Sequence, residues 1–226
     1  MIKKIITKEE LISKGAEAHL YYGHWFDKKV IFKCRIPKEY RLEELDNRIR
    51  AHRTINEGRA LINVKKEGVN VPTVYEIDTG QSIITMDFIE GTKLKDLMQK
   101  LSDPKKKAYF KEVGVLIAKL HLSGHVHGDI TTSNIIITPS ENVFLIDFGL
   151  HDYSDSVEDK GVDLHLLKRV LISSHGKDYN LCFNAFLAGY HSEFIKNDSE
   201  EDFDSIINTI GVIESRGRYV KKDERR

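Results

Sequence analysis

The spacing of apolar positions changes part-way along the chain. Between Glu10 and Ile36, the β-rich runs His19 to Trp25 and Val30 to Ile36 are separated by turn residues, which predicts a small antiparallel meander. A long helix is expected over about 41 to 66. Leu42, Leu45 and Ile49 open it, and Leu61 and Val64 close it before Gly68, with a possible interruption near Arg53 and Thr54. Thr73 to Ile77 and Ser82 to Ile89 read as two more strands. After Gly91 the pattern becomes mainly helical: Val113, Leu116, Ile117 and Leu120 fall at i, i+3, i+4 and i+7 on one face. Further helices fit about 160 to 174, 179 to 195 and 202 to 214.

The expected fold class is α+β, with two lobes in one domain over 1–226. A small antiparallel-sheet N-lobe covers 1–89, a mainly helical C-lobe covers 90–215, and a basic tail covers 216–226. A cleft between the lobes is the natural ligand site. One hairpin interrupts the helices. Ile135 to Thr138 and Val143 to Ile146 are short apolar runs around the turn Pro139-Ser140-Glu141-Asn142. In-register pairing sets Asn134 beside Asp147 at the open end, and Asp129 lies five residues before Asn134 on a loop entered through His127 and Gly128.

Three oxygen-bearing side chains therefore converge. Hard oxygen ligands suit Mg²⁺ completed by substrate phosphates, and Asp129 could orient a nucleophilic hydroxyl. Taken singly, each residue reads as well as a turn cap or a strand end. Taken together, Asp129, Asn134 and Asp147-Phe148-Gly149 have chance odds on the order of 10⁻³ or less. Two more carboxylates sit on apolar helical faces, where each needs a partner. Asp163 shares a face with Leu166, Leu167 and Val170; Glu57 shares one with Leu61 and Val64. The best partner for Glu57 is Lys33, at the end of the run Val30-Ile31-Phe32, with a simple structural salt bridge as the alternative reading.

Composition narrows the classes. Lys and Arg total 35 and Asp and Glu total 35 in 226 residues, so global charge gives no argument for a nucleic-acid or membrane protein. Cys34 and Cys182 lack metal-ligand spacing, and no apolar run is long enough for a membrane, so a cytoplasmic protein with reduced thiols and no membrane partner is expected. Charge is nevertheless uneven. Residues 28–66 hold twelve Lys or Arg against five Asp or Glu, and 216–226 hold six against two; either run could be a solvated face or a phosphate contact.

Lys33, Glu57, His127-Gly128-Asp129, Asn134 and Asp147-Phe148-Gly149 resemble, in order and spacing, the protein-kinase signature set. A closer resemblance spans nearly the whole chain: Lys14-Gly15-Ala16-Glu17-Ala18, Pro37-Lys38-Glu39-Tyr40-Arg41, Arg53-Thr54-Ile55-Asn56-Glu57, Ile130-Thr131-Thr132-Ser133 within the loop, Glu158 to Asp163, and Arg216-Gly217-Arg218. With these the chain resembles the small atypical serine/threonine kinases of the KEOPS complex, the PRPK family, which support threonylcarbamoyladenosine formation on tRNA. The resemblance implies a kinase-like two-lobed fold with a shortened C-lobe, and ATP with Mg²⁺ as cofactors. The phosphates are expected beneath Ile12, Ser13, Lys14, Gly15, Ala16, Glu17, Ala18 and Leu20, and the adenine against Met86, Asp87, Phe88 and Ile89. Lys33, held by Glu57, would contact the α- and β-phosphates, Asn134 and Asp147 would hold the metal, and Asp129 would be the catalytic base. Asp163 would bond to the catalytic-loop backbone. Implied partners are the threonylcarbamoyl-transferring KEOPS subunit, the smaller KEOPS subunits, and tRNA through the complex and the basic tail.

Departures from ordinary kinases carry information too. Only Gly15 of the three phosphate-loop glycines is present, Gly128 stands where the catalytic-loop arginine would be, and no Ala-Pro-Glu motif follows residue 149. The usual peptide platform is therefore expected to be missing, which favours an ATPase over a kinase of many free proteins. Alternatives are a small-molecule phosphotransferase of the aminoglycoside or choline type, a RIO-like kinase, and a non-catalytic nucleotide-binding scaffold.

Overall fold

The structure, a computed structural model, describes residues 6–218; the basic tail beyond Arg218 lies outside the described residues. The fold is α+β and the described residues form two compact units, 6–66 with 71–90 and 67–70 with 91–218.

In the first unit, β1 (Ile6–Lys14), β2 (Ala18–Trp25), β3 (Lys28–Arg35), β4 (Val74–Asp78) and β5 (Ile83–Asp87) form one antiparallel sheet. Their order is β1-β2-β3-β5-β4. The meander begins earlier than the pattern indicates, because β1 alternates too weakly to read as a strand: it is exposed almost throughout and bulged twice against β2. Helix α1 (Glu43–Lys66) lies on this sheet through Glu57, Ala60, Leu61 and Val64. It runs through Arg53 and Thr54 without a break; the buried Thr54 hydroxyl is satisfied within the helix by the Arg50 carbonyl at 2.7 Å. The apolar residues that opened it in sequence face water: Leu42 is 79% and Leu45 49% exposed, while the buried first-turn residue is Asp46, held by Arg41 and Arg50.

The second unit is mainly helical. It contains β6 (Thr92–Lys93), α2 (Leu94–Leu97), α3 (Asp103–Leu122), β7 (His125–Val126), β8 (Ile135–Ile137), β9 (Val143–Leu145), β10 (Asp152–Tyr153), α4 (Val157–His175), α5 (Tyr179–Lys196) and α6 (Glu200–Arg218). Val113, Leu116, Ile117 and Leu120 on α3 are all buried, and Phe186, Tyr190 and Phe194 on α5 complete this core. The two helices approach closely because Gly114 and Gly189 each face the other helix's backbone, where a Cβ would collide with the carbonyls of Phe186 and Lys111. Residues 67–70, which the pattern assigns to the N-lobe, join this unit instead. Asn70 accepts the Leu145 N–H and donates to the Val143 carbonyl, completing the edge of β9.

Candidate active site

In the second unit the loop between β7 and β8 is built around its backbone. Asp163, on the buried face of α4, accepts the N–H groups of His127 at 2.6 Å and Gly128 at 2.8 Å. The same carboxylate accepts from His121 Nε2 at 3.3 Å, and His121 Nδ1 lies 2.8 Å from the Tyr190 hydroxyl. Burial alone would raise the Asp163 pKa, but the hydrogen bonds the carboxylate accepts, first from His121 and then from the His127 N–H, outweigh it and hold the carboxyl below its usual range. Burial lowers the His121 pKa, so this is an ionised carboxylate receiving a neutral imidazole N–H; Nδ1 is then the acceptor for Tyr190. His121 and Tyr190 were missed as site residues. A histidine four residues after Ile117 on an otherwise apolar face was the available signal.

Gly128 has φ +78°, and a Cβ there would penetrate the Leu150 carbonyl oxygen. Absence of the kinase-type arginine at this position is thus a backbone requirement as well as a lost side chain. Beyond it, the Asp129 N–H donates to His127 Nδ1 at 3.3 Å, and Asn134 Nδ2 donates to the Asp129 carbonyl at 3.0 Å and its carboxylate at 2.8 Å. His127 is buried against the Phe148 ring, 4.5 Å between centroids, and burial lowers its pKa.

Hairpin register corrects one expectation. Ile135 pairs with Leu145 and Ile137 with Val143, so the Ile146 N–H donates to the Asn134 carbonyl and Asp147 lies one residue past the partner position. The β8–β9 strands are also shorter than the apolar runs, ending at Ile137 and Leu145. Asp147 leaves the strand with φ +65°, is exposed, and accepts the Gly149 N–H at 3.3 Å. With its Nδ2 committed to Asp129, Asn134 has Oδ1 remaining as its acceptor. One exposed carboxylate and one amide oxygen fit a Mg²⁺ ion that takes most of its shell from water and phosphates. Among the described residues no group of three His, Cys, Asp or Glu is placed to enclose a metal.

In the first unit, Lys33 Nζ meets Glu57 Oε1 at 2.5 Å, with side-chain exposures of 9% and 2%. Sequence reasoning missed Arg35, whose Nη2 meets Glu57 Oε2 at 2.6 Å. Its signal was strand alternation: two residues after Lys33, it falls on the same face. Of the residues expected near phosphates, Ile12, Ser13, Lys14, Gly15, Ala16 and Glu17 are exposed, Ala18 is buried and Leu20 pairs with Lys33 across the sheet. The turn is closed by the Gly15 N–H on the Ala18 carbonyl at 3.0 Å and tethered by Arg53 to Glu17 at 2.7 Å and by Lys38 to the Ala16 carbonyl.

Met86, Asp87, Phe88 and Ile89 end β5 and follow it, but the Asp87 carboxylate is a strut. It accepts the Thr73 N–H at 3.0 Å and the Tyr75 hydroxyl, and Phe88 packs edge-on against Tyr22 at 5.2 Å. The basic count of residues 28–66 is also partly answered internally: Lys29, Lys33, Arg35, Arg41, Arg50 and Arg53 all make ion pairs within their own unit. No helix of the described residues is long and apolar enough to cross a membrane.

Residues 36–182 match the family model of the ABC1 atypical kinase-like domain, a span that contains Glu57, Asp129, Asn134, Asp147 and Asp163. The chain is 46% identical to the KEOPS complex subunit Bud32 of Pyrococcus abyssi over 93% of this chain and 96% of that protein. The chain belongs to the Bud32 family. Its fold is accordingly the kinase-like α+β fold. Within that family it is also 38% identical, over 97% of its own length, to a probable bifunctional tRNA threonylcarbamoyladenosine biosynthesis protein of Methanococcus maripaludis. A protein of the same description from Methanobrevibacter smithii is 42% identical over 93% of this chain. The chain spans only 38% and 37% of those two longer relatives.

Proposed function

We propose that this Bud32-family chain binds ATP with Mg²⁺ and works as the ATPase and serine/threonine-type kinase subunit of a KEOPS complex, supporting threonylcarbamoyladenosine formation on tRNA. The observation that carries the reading is the Asn134 bridge to both the carboxylate and the carbonyl of Asp129, at the mouth of the hairpin that presents Asp147. Lys33, steadied by Glu57, is assigned to the α- and β-phosphates, and the oxygens of Asn134 and Asp147 to the metal. That ion supplies charge neutralisation to the phosphates when bound. Asp129 accepts the proton of an attacking hydroxyl or orients a water.

Residues 150–156 alone separate Gly149 from α4. So short a segment favours hydrolysis of ATP within an assembly over phosphorylation of many peptides. A role within a KEOPS complex and on tRNA is supported by the relatives, a KEOPS complex subunit and a probable bifunctional tRNA threonylcarbamoyladenosine biosynthesis protein; the threonylcarbamoyl-transferring subunit and the smaller KEOPS subunits are the partners we assign. Contact with tRNA is assigned to the tail from Arg216, since much of the first basic run is matched internally.

The deciding measurement is ATP turnover by the purified chain, alone and with the transferase partner and tRNA, beside Asp147→Ala and Asp129→Asn controls. Turnover that rises with partners and is lost in both controls supports the assignment. Turnover that survives both substitutions overturns it.

A further inference from the structure

The loop between β7 and β8 is tied to α4 at both of its ends. Where it begins, Asp163 accepts the N–H groups of His127 and Gly128. Where it ends, His175, the last residue of the same helix, holds Nε2 3.1 Å from the Thr132 hydroxyl. From Asp163 to His175 the helix axis runs about 18 Å, so one rigid element fastens both ends of the loop.

Thr132 opens the 3-10 turn Thr132–Asn134. Within that turn the Asn134 N–H donates to the Thr131 carbonyl at 3.0 Å, and Thr131 gives no side-chain cap. A single backbone bond of 3-10 geometry is a weak hold. The hairpin adds a second through the Ile146 N–H on the Asn134 carbonyl at 2.9 Å, and the hydroxyl of Thr132 ties the turn to α4.

Filling space does not require that hydroxyl. Thr132 is 2% exposed, and valine would take up nearly the same volume with no buried polar group to satisfy. His175 supplies the partner that a buried hydroxyl needs. Burial lowers the His175 pKa; Asp178 opposes this, and Lys106, paired with Asp178 at 2.8 Å, adds to it. The ring is therefore neutral near neutral pH, and Nε2 can accept the hydroxyl proton or donate its own.

We propose that His175 is a positioning residue: through Thr132 it fixes the 3-10 turn, and through the turn it keeps the Asn134 amide on Asp129 with Oδ1 turned to the metal. The proposal rests on the reading of Asn134 as a metal ligand.

The test uses the full chain with His175→Leu, His175→Gln, Thr132→Val and the double variant Thr132→Val with His175→Leu. Without any ligand, ¹H–¹⁵N NMR of the Asn134 side-chain amide reports its bond to Asp129. Solvent exchange of that amide should quicken about tenfold or more in His175→Leu and in Thr132→Val. With ATP, turnover should fall about tenfold in both, and the Mg²⁺ concentration for half-maximal rate should rise. A glutamine amide reaches the place of the imidazole Nε2, so His175→Gln should recover most of the loss. Since both side chains act through one bond, the double variant should be within about twofold of the worse single one.

A merely structural contact would lower Tm and leave the amide exchange and the Mg²⁺ dependence of the folded chain unchanged, and that result overturns the proposal. So does a His175→Gln chain no better than His175→Leu, or losses that multiply in the double variant. Should His175→Leu not fold, the near-isosteric Thr132→Val decides: unchanged exchange and metal dependence there overturns the proposal as well. Asn134→Ala separates the two readings. If it keeps the turnover and metal dependence of the unsubstituted chain, the assignment of Asn134 to the metal fails; if it loses them while the His175 and Thr132 variants do not, only the role of His175 fails.

Discussion

Asn134 donates its side-chain amide to Asp129 twice, to the carboxylate at 2.8 Å and to the main-chain carbonyl at 3.0 Å. The amide proposed for the metal and the carboxylate proposed as the base are therefore hydrogen-bonded to each other, so altering one disturbs the other. Asn134→Ala is expected to reduce ATP turnover about 10²-fold or more and to raise the Mg²⁺ concentration needed for half-maximal rate. Asn134→Asp, which keeps an oxygen ligand but sets a second carboxylate against Asp129, should also be slow. Steady-state rates across a Mg²⁺ titration read both effects, and an unchanged metal dependence in Asn134→Ala would remove Asn134 from the metal assignment.

Gly128 has φ +78° with the Leu150 carbonyl against its Cα. Gly128→Ala therefore adds a left-handed backbone penalty to a backbone collision, and should destabilise the chain by about 2 kcal/mol or more. Chemical denaturation measures this. A variant as stable as the unsubstituted chain would show that the loop has another conformation available.

Asp163 is buried with its pKa held down, so its contribution to stability has a definite sign. The folded value lies below the unfolded one, so the stabilisation is complete above about pH 4 and is lost as pH falls through the folded value. Asp163→Asn should lose roughly 3 kcal/mol at neutral pH and flatten that acid limb. Denaturation at pH 7 and at stepwise lower pH checks both. A steep acid limb retained in the variant would assign it to other carboxylates.

His151 and His125 share a ring-to-ring hydrogen bond of 2.8 Å, with Tyr153 packed 5.0 and 4.8 Å from the two rings. Burial first, then the neighbouring His125 and His127, pushes the His151 pKa down to about 4. The unfolded chain, titrating near 6.5, binds this proton first. Stability from His151 is thus present above about pH 6.5 and falls away between there and about 4. Histidine NMR titration should find one ring near 4, whose resonance vanishes in His151→Phe; a value near 6.5 would show the pair open in solution.

Much of the site could be read in one dimension because its carboxylates violate local rules. Glu57 and Asp163 occupy apolar helical faces, where only a buried partner keeps a charge, and the hairpin announced itself by two apolar runs around a proline turn. Lys33 was legible for the same reason. Arg35 was harder: alternation gives its face, but whether a guanidinium reaches Oε2 of a helix twenty-two positions away depends on how that helix sits on the sheet. Leu42 and Leu45 misled, because periodicity cannot say which turns of a helix other elements cover.

The sequence by itself determined the long helices, the regular strands of the meander and the hairpin, together with the set of candidate reactive groups and their order, since these follow from side-chain period, turn chemistry and residue type; the exposed, bulged β1 it did not. Tertiary structure alone decided which groups touch. The hairpin register set Asp147 one residue beyond Asn134's partner, packing against Leu150 made Gly128 obligatory, and the packing of α5 against both α3 and α4 delivered His121 and Tyr190 to Asp163. The reason is physical: hydrogen bonds act over about 3 Å, and spacing along a chain does not specify a position to that tolerance until packing has removed the backbone's remaining freedom.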